Sequence, residues 1–229
     1  MINRIAVLSL LTFMPVLLYG QNISFPPTPN EDKANGMNDN CYLSATGHPT
    51  EAERNAFILS LKPYIDSLAP HLNLPPKTIM AMAIIESGCG FTRIGYYANN
   101  LFGIKKITAD SIAAYVLKGQ PDEFKGKYIR IIERTSKGQL VFDESIRMDN
   151  RYRKFPTRQD CILYLAGTLL QNQRYKPAIV NYQQNLRKGM SGTDASVIYA
   201  YDIANLGYNH KGGNYYRNAI QKVIKKYNL

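Results

Sequence analysis

The chain has 229 residues, of which 45% are hydrophobic and 20% charged, a make-up that suits one globular domain with a sizeable core. Its formal net charge of +11 admits three polyanionic partners: nucleic acid, an anionic membrane surface or a cell-wall polymer. No zinc-finger or RNA-recognition motif is present, and the three histidines and three cysteines fall at no metal-ligand spacing, so nucleic acid and a metal centre are both set aside.

Arg4, an apolar run from Ile5 to Leu18 and a small residue at Gly20 have the layout of a secretory signal peptide over residues 1–20. The run is shorter than the ~20 apolar residues that span a bilayer, so no stable membrane span is expected once it is removed. An exported protein rarely meets nucleic acid, which leaves a wall polymer, or a solvated face that aids solubility, to explain the basic stretches at 125–134, 147–158 and 217–226. Export also permits one disulfide among Cys41, Cys89 and Cys161, with the pairing open.

Residues 21–50 are rich in Pro, Asn, Gly and Thr and are expected to form a flexible arm, with the folded domain over 51–229. Thr50 and Glu53 have capping-box spacing. Phe57, Ile58, Leu61, Ile65, Leu68 and Leu72 then recur at helical period despite Pro63. Pro75 and Pro76 suit the first turn of a second helix, KTIMAMAIIE, which is apolar on nearly every side and so should be buried. A short helix is expected at ADSIAAYVLKG, ending at Gly119. A hairpin should follow, because YIRIIERT and QLVFDESIRM are rich in β-branched and aromatic residues and flank SKG. Thr157 and Asp160 mark another helix start, and KPAIVNYQQNLRK, DASVIYAYDIANL and NYYRNAIQKVIKKYN read as further helices. The fold class is mainly α (α+β), with one small β insertion after the apolar helix.

That helix runs into Ile84-Ile85-Glu86-Ser87-Gly88-Cys89-Gly90. A carboxyl at a helix C-terminus, beside unsatisfied carbonyls and apolar neighbours, resists ionisation and keeps its proton near neutral pH. Glu86 is therefore either a solvated residue at a helix end or a general acid set in a cleft, and the glycines at 88 and 90 would let a polymer pass close to the backbone.

The stretch PPKTIMAMAIIESGCGFTRIGYYANNLFGIKK closely resembles the bacterial peptidoglycan N-acetylglucosaminidases of glycoside hydrolase family 73 type. Its E-S-G-C-G and N-N-L-F-G-I match the family's helix end and following loop, KFPTRQDCILYLAGTLLQNQRYKPAI resembles a later segment, and LGYNHKGGNYYRNAIQKVIKKYNL resembles the terminus of the Bax-like branch. Together they cover about residues 55 to 229 in order.

The resemblance implies a lysozyme-like helical domain with a small β-hairpin lobe, and cleavage of the β-1,4 bond between N-acetylglucosamine and N-acetylmuramic acid in peptidoglycan strands. No cofactor is implied. Glu86 falls on the family's general acid; Glu133 is the nearest match to a second carboxylate from the β lobe, with Glu123, Asp143 and Glu144 as rivals. Tyr216 falls on the family's cleft tyrosine, with Tyr208 and Tyr215 as alternatives, and Phe102 would buttress the loop. Asn99 and Asn100 would bind acetamido or hydroxyl groups, or hold the loop in a turn. Cys89 stands where the family has tryptophan, which removes a packing or stacking face and raises a disulfide with Cys161 or Cys41. The localisation implied is exported, periplasmic or extracellular and wall-associated; the oligomeric state stays open. The rival readings are a lytic transglycosylase, an inactive peptidoglycan-binding module and a basic surface-adhering protein.

Overall fold

The computed structural model describes residues 49–106, 114–116, 131–134, 140–142 and 151–229. Helix α1 (Glu51–His71) begins as its capping box requires: the Thr50 hydroxyl accepts from the Glu53 amide at 3.2 Å, and the Glu53 carboxylate accepts from the Thr50 amide at 2.7 Å. It passes through Pro63 and Pro70 without ending. Phe57, Ile58, Leu61, Ile65 and Ala69 form its buried face, with Leu68 and Leu72 half-buried beside them.

Helix α2 (Pro76–Ser87) starts on Pro76, whose missing N–H would have had no helical partner. Residues Thr78 to Ile84 are all buried, so the helix lacks a solvent face and its neighbours must surround it. They are α1, α6 (Gly192–Ile203) and α7 (Gly213–Tyr227). A five-residue helix α3 (Arg93–Tyr97) follows, and α4 (Arg158–Tyr164) runs into a π turn over Leu165–Leu169. A 3₁₀ turn (Gln173–Tyr175) leads to α5 (Lys176–Arg187), and a second π turn (Ala204–Tyr208) ends α6. The three late helices expected from sequence are α5, α6 and α7. The Thr157–Asp160 capping box is formed on both sides, with bonds of 3.1 and 3.0 Å.

Two small antiparallel sheets complete the domain. Strand β2 (Ile131–Arg134) pairs with β3 (Leu140–Phe142) as the expected hairpin, Glu133 opposite Val141, with an irregularity between Ile131 and Glu133. The helix expected at 109–119 is not formed where the structure describes it: Ala114–Val116 is strand β1, paired with β4 (Arg151–Arg153). Burial overrides helical pattern here. Tyr115 is 8% exposed, sits opposite Tyr152 and stacks on Tyr97 with ring centroids 6.2 Å apart. The domain is thus mainly helical with a small β portion, the class the resemblance implies.

The turn after α2 is tightly constrained. Gly88 takes the left-handed C-cap conformation, and Cys89 and Gly90 follow with φ of 57° and 82°. Ser87 ties the turn down, its hydroxyl donating to the Ala83 carbonyl and accepting from the Gly90 amide at 2.7 Å. Neither glycine is among the residues lining the cleft that holds Glu86. Gly90 is buried, and a Cβ there would lie 2.6 Å from Arg158 Nη2 and 3.2 Å from the Phe57 ring, so its role is packing and not passage for a polymer.

The cysteine expectation also needs correction: Cys89 and Cys161 are both buried free thiols and are not joined to each other. The Cys161 sulfur accepts from the Leu101 amide at 3.3 Å, and burial pushes its thiol up to about 12. Cys41, the proposed signal and residues 21–48 of the proposed arm lie outside the described residues, and the arm's last residue, Thr50, is the N-cap of α1.

Gly90→Ala combines a positive φ with displacement of the Arg158 guanidinium from its place over Phe57. It should lower folding stability by roughly 1–3 kcal/mol, read as a lower urea midpoint with an unchanged denaturant slope.

Candidate active site

Glu86 is the penultimate residue of α2, and the burial of that helix fixes where its carboxyl can go. It emerges half-buried in the wall of a cleft of about 470 Å³. Other walls come from Phe102 to Lys105, from Tyr164 on α4, and from Tyr208 to His210 after α6. Aromatic faces beside a few polar groups suit a saccharide, whose rings offer both C–H faces and hydroxyls.

The carboxyl has one direct partner among the described bonds. Tyr216, 1% exposed in the first turn of α7, donates its hydroxyl to Glu86 Oε1 at 3.0 Å. Gly213 makes that placement possible: its amide donates to Asn205 Oδ1 at 2.9 Å, and an added Cβ would strike the Asn205 amide at 2.6 Å and the Tyr201 ring at 2.7 Å. Burial holds the Glu86 carboxyl above the usual range, against the opposing effects of the Tyr216 hydrogen bond and the nearby His210. The helix end of α2 favours the same neutral form. Burial raises the Tyr216 phenol still further from its ordinary value, so it remains a donor.

Tyr208 lies against Tyr216 with ring centroids 5.8 Å apart, and its buried hydroxyl has no hydrogen-bond partner among the described residues. It lines the cleft, as does Tyr175, which sequence reasoning did not single out. The signal was there in N-Q-R-Y-K-P, a proline just after a tyrosine at a helix start, but nothing in it pointed toward Glu86.

Other expected site residues are elsewhere. Tyr215 is 52% exposed, with the Lys211 ammonium 4.7 Å above its ring, because neighbours on a helix face about 100° apart and Tyr216 takes the inward direction. Asn99 donates to the carbonyls of Phe155 and Pro156 at 3.1 and 3.0 Å. Asn100 is 1% exposed, donates to the carbonyls of Ile104 and Arg153 at 2.9 and 2.7 Å, and accepts from the Ile104 amide at 2.9 Å. Both side chains hold the loop, and neither is among the residues that line the cleft with Glu86. Phe102 forms part of the cleft and packs into the core. Glu133 belongs to β2, where only the backbone is described; Glu123, Asp143 and Glu144 lie outside the described residues. Among the described residues no three His, Cys, Asp or Glu side chains gather to hold a metal ion, and no helix is long and apolar enough to cross a membrane.

A carboxyl whose ionisation is opposed by burial, presented in an aromatic-lined cleft with a phenol fixed on one oxygen, is the equipment of a glycoside hydrolase. The chain belongs to the glucosaminidase family, described as mannosyl-glycoprotein endo-β-N-acetylglucosaminidase, whose model matches residues 62–229. No curated protein sequence matches it. Three of the similar solved structures are as follows. The catalytic domain of the autolysin Auto from Listeria monocytogenes has 19% identity and a TM-score of 0.47, covering 89% of this chain and 97% of that one. A type VI secretion system effector–immunity complex from Pseudomonas protegens has 16% identity and 0.41, covering 78% and 96%. A peptidoglycan hydrolase mutant from Sphingomonas sp. A1 has 18% and 0.42, covering 74% and 91%.

The raised Glu86 pKa has a consequence for stability. The folded state keeps a proton that the unfolded chain has released, so stability falls as pH rises from the unfolded carboxyl's pKa to Glu86's own. Glu86→Gln keeps an acceptor for Tyr216 and removes the ionisation. Its melting temperature should exceed that of the unsubstituted protein, by a margin that is small in acid, widens through that window and is constant above it.

Proposed function

We propose that this glycoside hydrolase acts on peptidoglycan, cleaving the β-1,4 bond between N-acetylglucosamine and N-acetylmuramic acid inside the glycan strand. The observation that carries the reading is the Glu86 carboxyl in the cleft, raised by burial and held at Oε1 by Tyr216. With Oε1 accepting from the phenol, the acidic proton belongs on Oε2 and is delivered to the glycosidic oxygen as the C–O bond breaks. The Tyr216 bond then strengthens on the carboxylate left behind, which lowers the cost of giving up the proton.

Positive charge develops at the sugar carbon and needs a partner on the opposite face. Glu133 on β2 is the proposed second carboxylate, activating water or steadying that charge, and the substrate's own acetamido group is the alternative. The leader-like residues 1–20 and a wall substrate together support export to the periplasm or cell exterior, with residues 21–50 as an arm before the catalytic domain. No cofactor enters this chemistry.

Two experiments test the reading. Mature protein incubated with purified peptidoglycan should release new reducing N-acetylglucosamine ends, identified by mass spectrometry, and Glu86→Gln should lower that rate at least ~100-fold. Anhydro-muramic ends would make it a lytic transglycosylase instead, and bound glycan without products a binding module. Tyr216→Phe removes a donor that holds the Glu86 pKa down, so the alkaline limb of the pH–rate profile should move to higher pH. Its kcat should fall roughly ten- to a hundredfold, through loss of a hydrogen bond to a developing carboxylate.

A further inference from the structure

A second hollow adjoins the cleft, and one side chain belongs to both. Tyr164 lines the cleft that holds Glu86 and also a neighbouring hollow of about 440 Å³. Phe155 and Pro156, just after β4, form one side of that hollow, and α4 with its π turn forms the other. Asp160, Leu163, Gly167 and Thr168 join Tyr164 there, at the three- and four-residue steps that share one side of a helix. The same stretch turns Cys161, Ile162, Leu165 and Ala166 into the core.

The hollow is held open and left apolar. Tyr164 is fixed in place, with the Arg153 guanidinium 4.4 Å from its ring centre and the Phe155 ring 5.8 Å away, tilted by 53°. Leu163 is 47% exposed, a large apolar side chain that α4 leaves in water while burying its neighbours. Gly167 keeps space free: its φ is not positive, and an added Cβ would meet only Leu163 Cδ1, at 3.7 Å, so neither backbone nor packing demands a glycine there. The polar groups of the lining are the Thr168 hydroxyl and the Asp160 carboxylate, whose Oδ2 accepts from the Thr157 amide and hydroxyl while Oδ1 has no partner among the described residues. Apolar faces beside two groups able to bind hydroxyls suit a sugar ring. The charged side chain among the lining residues is acidic, and Arg153, over the Tyr164 ring, is not one of them. That favours a neutral sugar over a lactyl acid or an acidic stem peptide.

Resting on the peptidoglycan reading, we propose that the hollow beyond Tyr164 is a further saccharide subsite, which takes an N-acetylglucosamine of the same strand away from the bond that is cut. The continuity through Tyr164 carries the argument, because a ligand in the cleft and one in the hollow touch the same ring and so can be parts of one chain. Binding energy gained there, remote from the reacting bond, raises kcat/KM for strands long enough to reach it.

The test compares cleavage of peptide-free tetrasaccharide and octasaccharide fragments of peptidoglycan by the full-length mature protein, then repeats it with peptide-bearing fragments. The readout is the ratio of kcat/KM for the long fragment to that for the short one, which cancels any loss of folded protein. Gly167→Phe, which fills the hollow from an exposed position, should lower the ratio about tenfold, and Leu163→Ala about threefold. Leu163→Met, which keeps an apolar side chain there, should hold the ratio near that of the unsubstituted protein. Equal loss on long and short fragments would reduce the residues to supports for α4 and overturn the proposal, as would an unchanged ratio in both variants. A fall confined to peptide-bearing fragments would give the hollow to the stem peptide instead, and a change in self-association alone would make it a contact between two copies of the chain; either overturns the sugar subsite. If the unsubstituted protein cuts no fragment, the peptidoglycan reading fails and takes this inference with it.

Discussion

Everything in this domain follows from a helix that has nowhere to show water. Between Thr78 and Ile84, α2 buries every side chain, so α1, α6 and α7 must close around it. A helix enclosed along its length can present function only at an end. The C-terminal end is where backbone carbonyls lack partners and the local field opposes negative charge. A carboxyl placed there is harder to ionise than one in water, so the upward shift of Glu86 comes from the same packing that stabilises the fold.

Tyr216 gives that acid a direction. It comes from the first turn of the last helix, 130 residues beyond Glu86, and reaches the carboxyl because Gly213 lets α7 start hard against Tyr201 and Asn205. One phenol bond favours ionisation less than burial opposes it, so the net shift stays upward. Burial and the phenol therefore act differently: burial shifts the carboxyl upward, and the phenol orients its oxygens.

Much of the fold was legible because it rests on local rules. The Thr50–Glu53 and Thr157–Asp160 boxes, proline at the start of α2 and the unbroken apolar run Ile79 to Ile85 each fix a boundary or a burial within a few residues of sequence. The misreadings involve distant partners. Ala114–Val116 has a helical neighbourhood and becomes a strand because Tyr115 finds Tyr152 and Tyr97. What Asn99 and Asn100 hold was hidden for the same reason, since Phe155, Pro156 and Arg153 supply the carbonyls from more than fifty residues away. In the site, helix-end chemistry left Glu86 open between a solvated residue and an acid, and the family resemblance singled it out together with Tyr216. That Tyr216 faces Glu86 while Tyr215 faces solvent depends on the angular position of each ring around its helix.

Cys89 shows why a departure from a family pattern has to be placed in space before it is weighed. A thiol in place of tryptophan, three residues after the acid, suggests a lost stacking face for sugar. The side chain is 3% exposed, does not line the cleft, and belongs to the core built from α1, α2 and α4. Burial pushes the thiol up to about 11, which suits an inert packing group and not a nucleophile. The backbone at that point is left-handed, a conformation that costs a residue with a Cβ roughly 1–2 kcal/mol, and it persists because Ser87 and Gly90 hold both sides of the turn. A larger side chain at 89 would have to share that side of the turn with Phe57 and Arg158, which already crowd Gly90. The replacement thus concerns core packing at the end of α2 and not the lining of the cleft that Glu86 reaches.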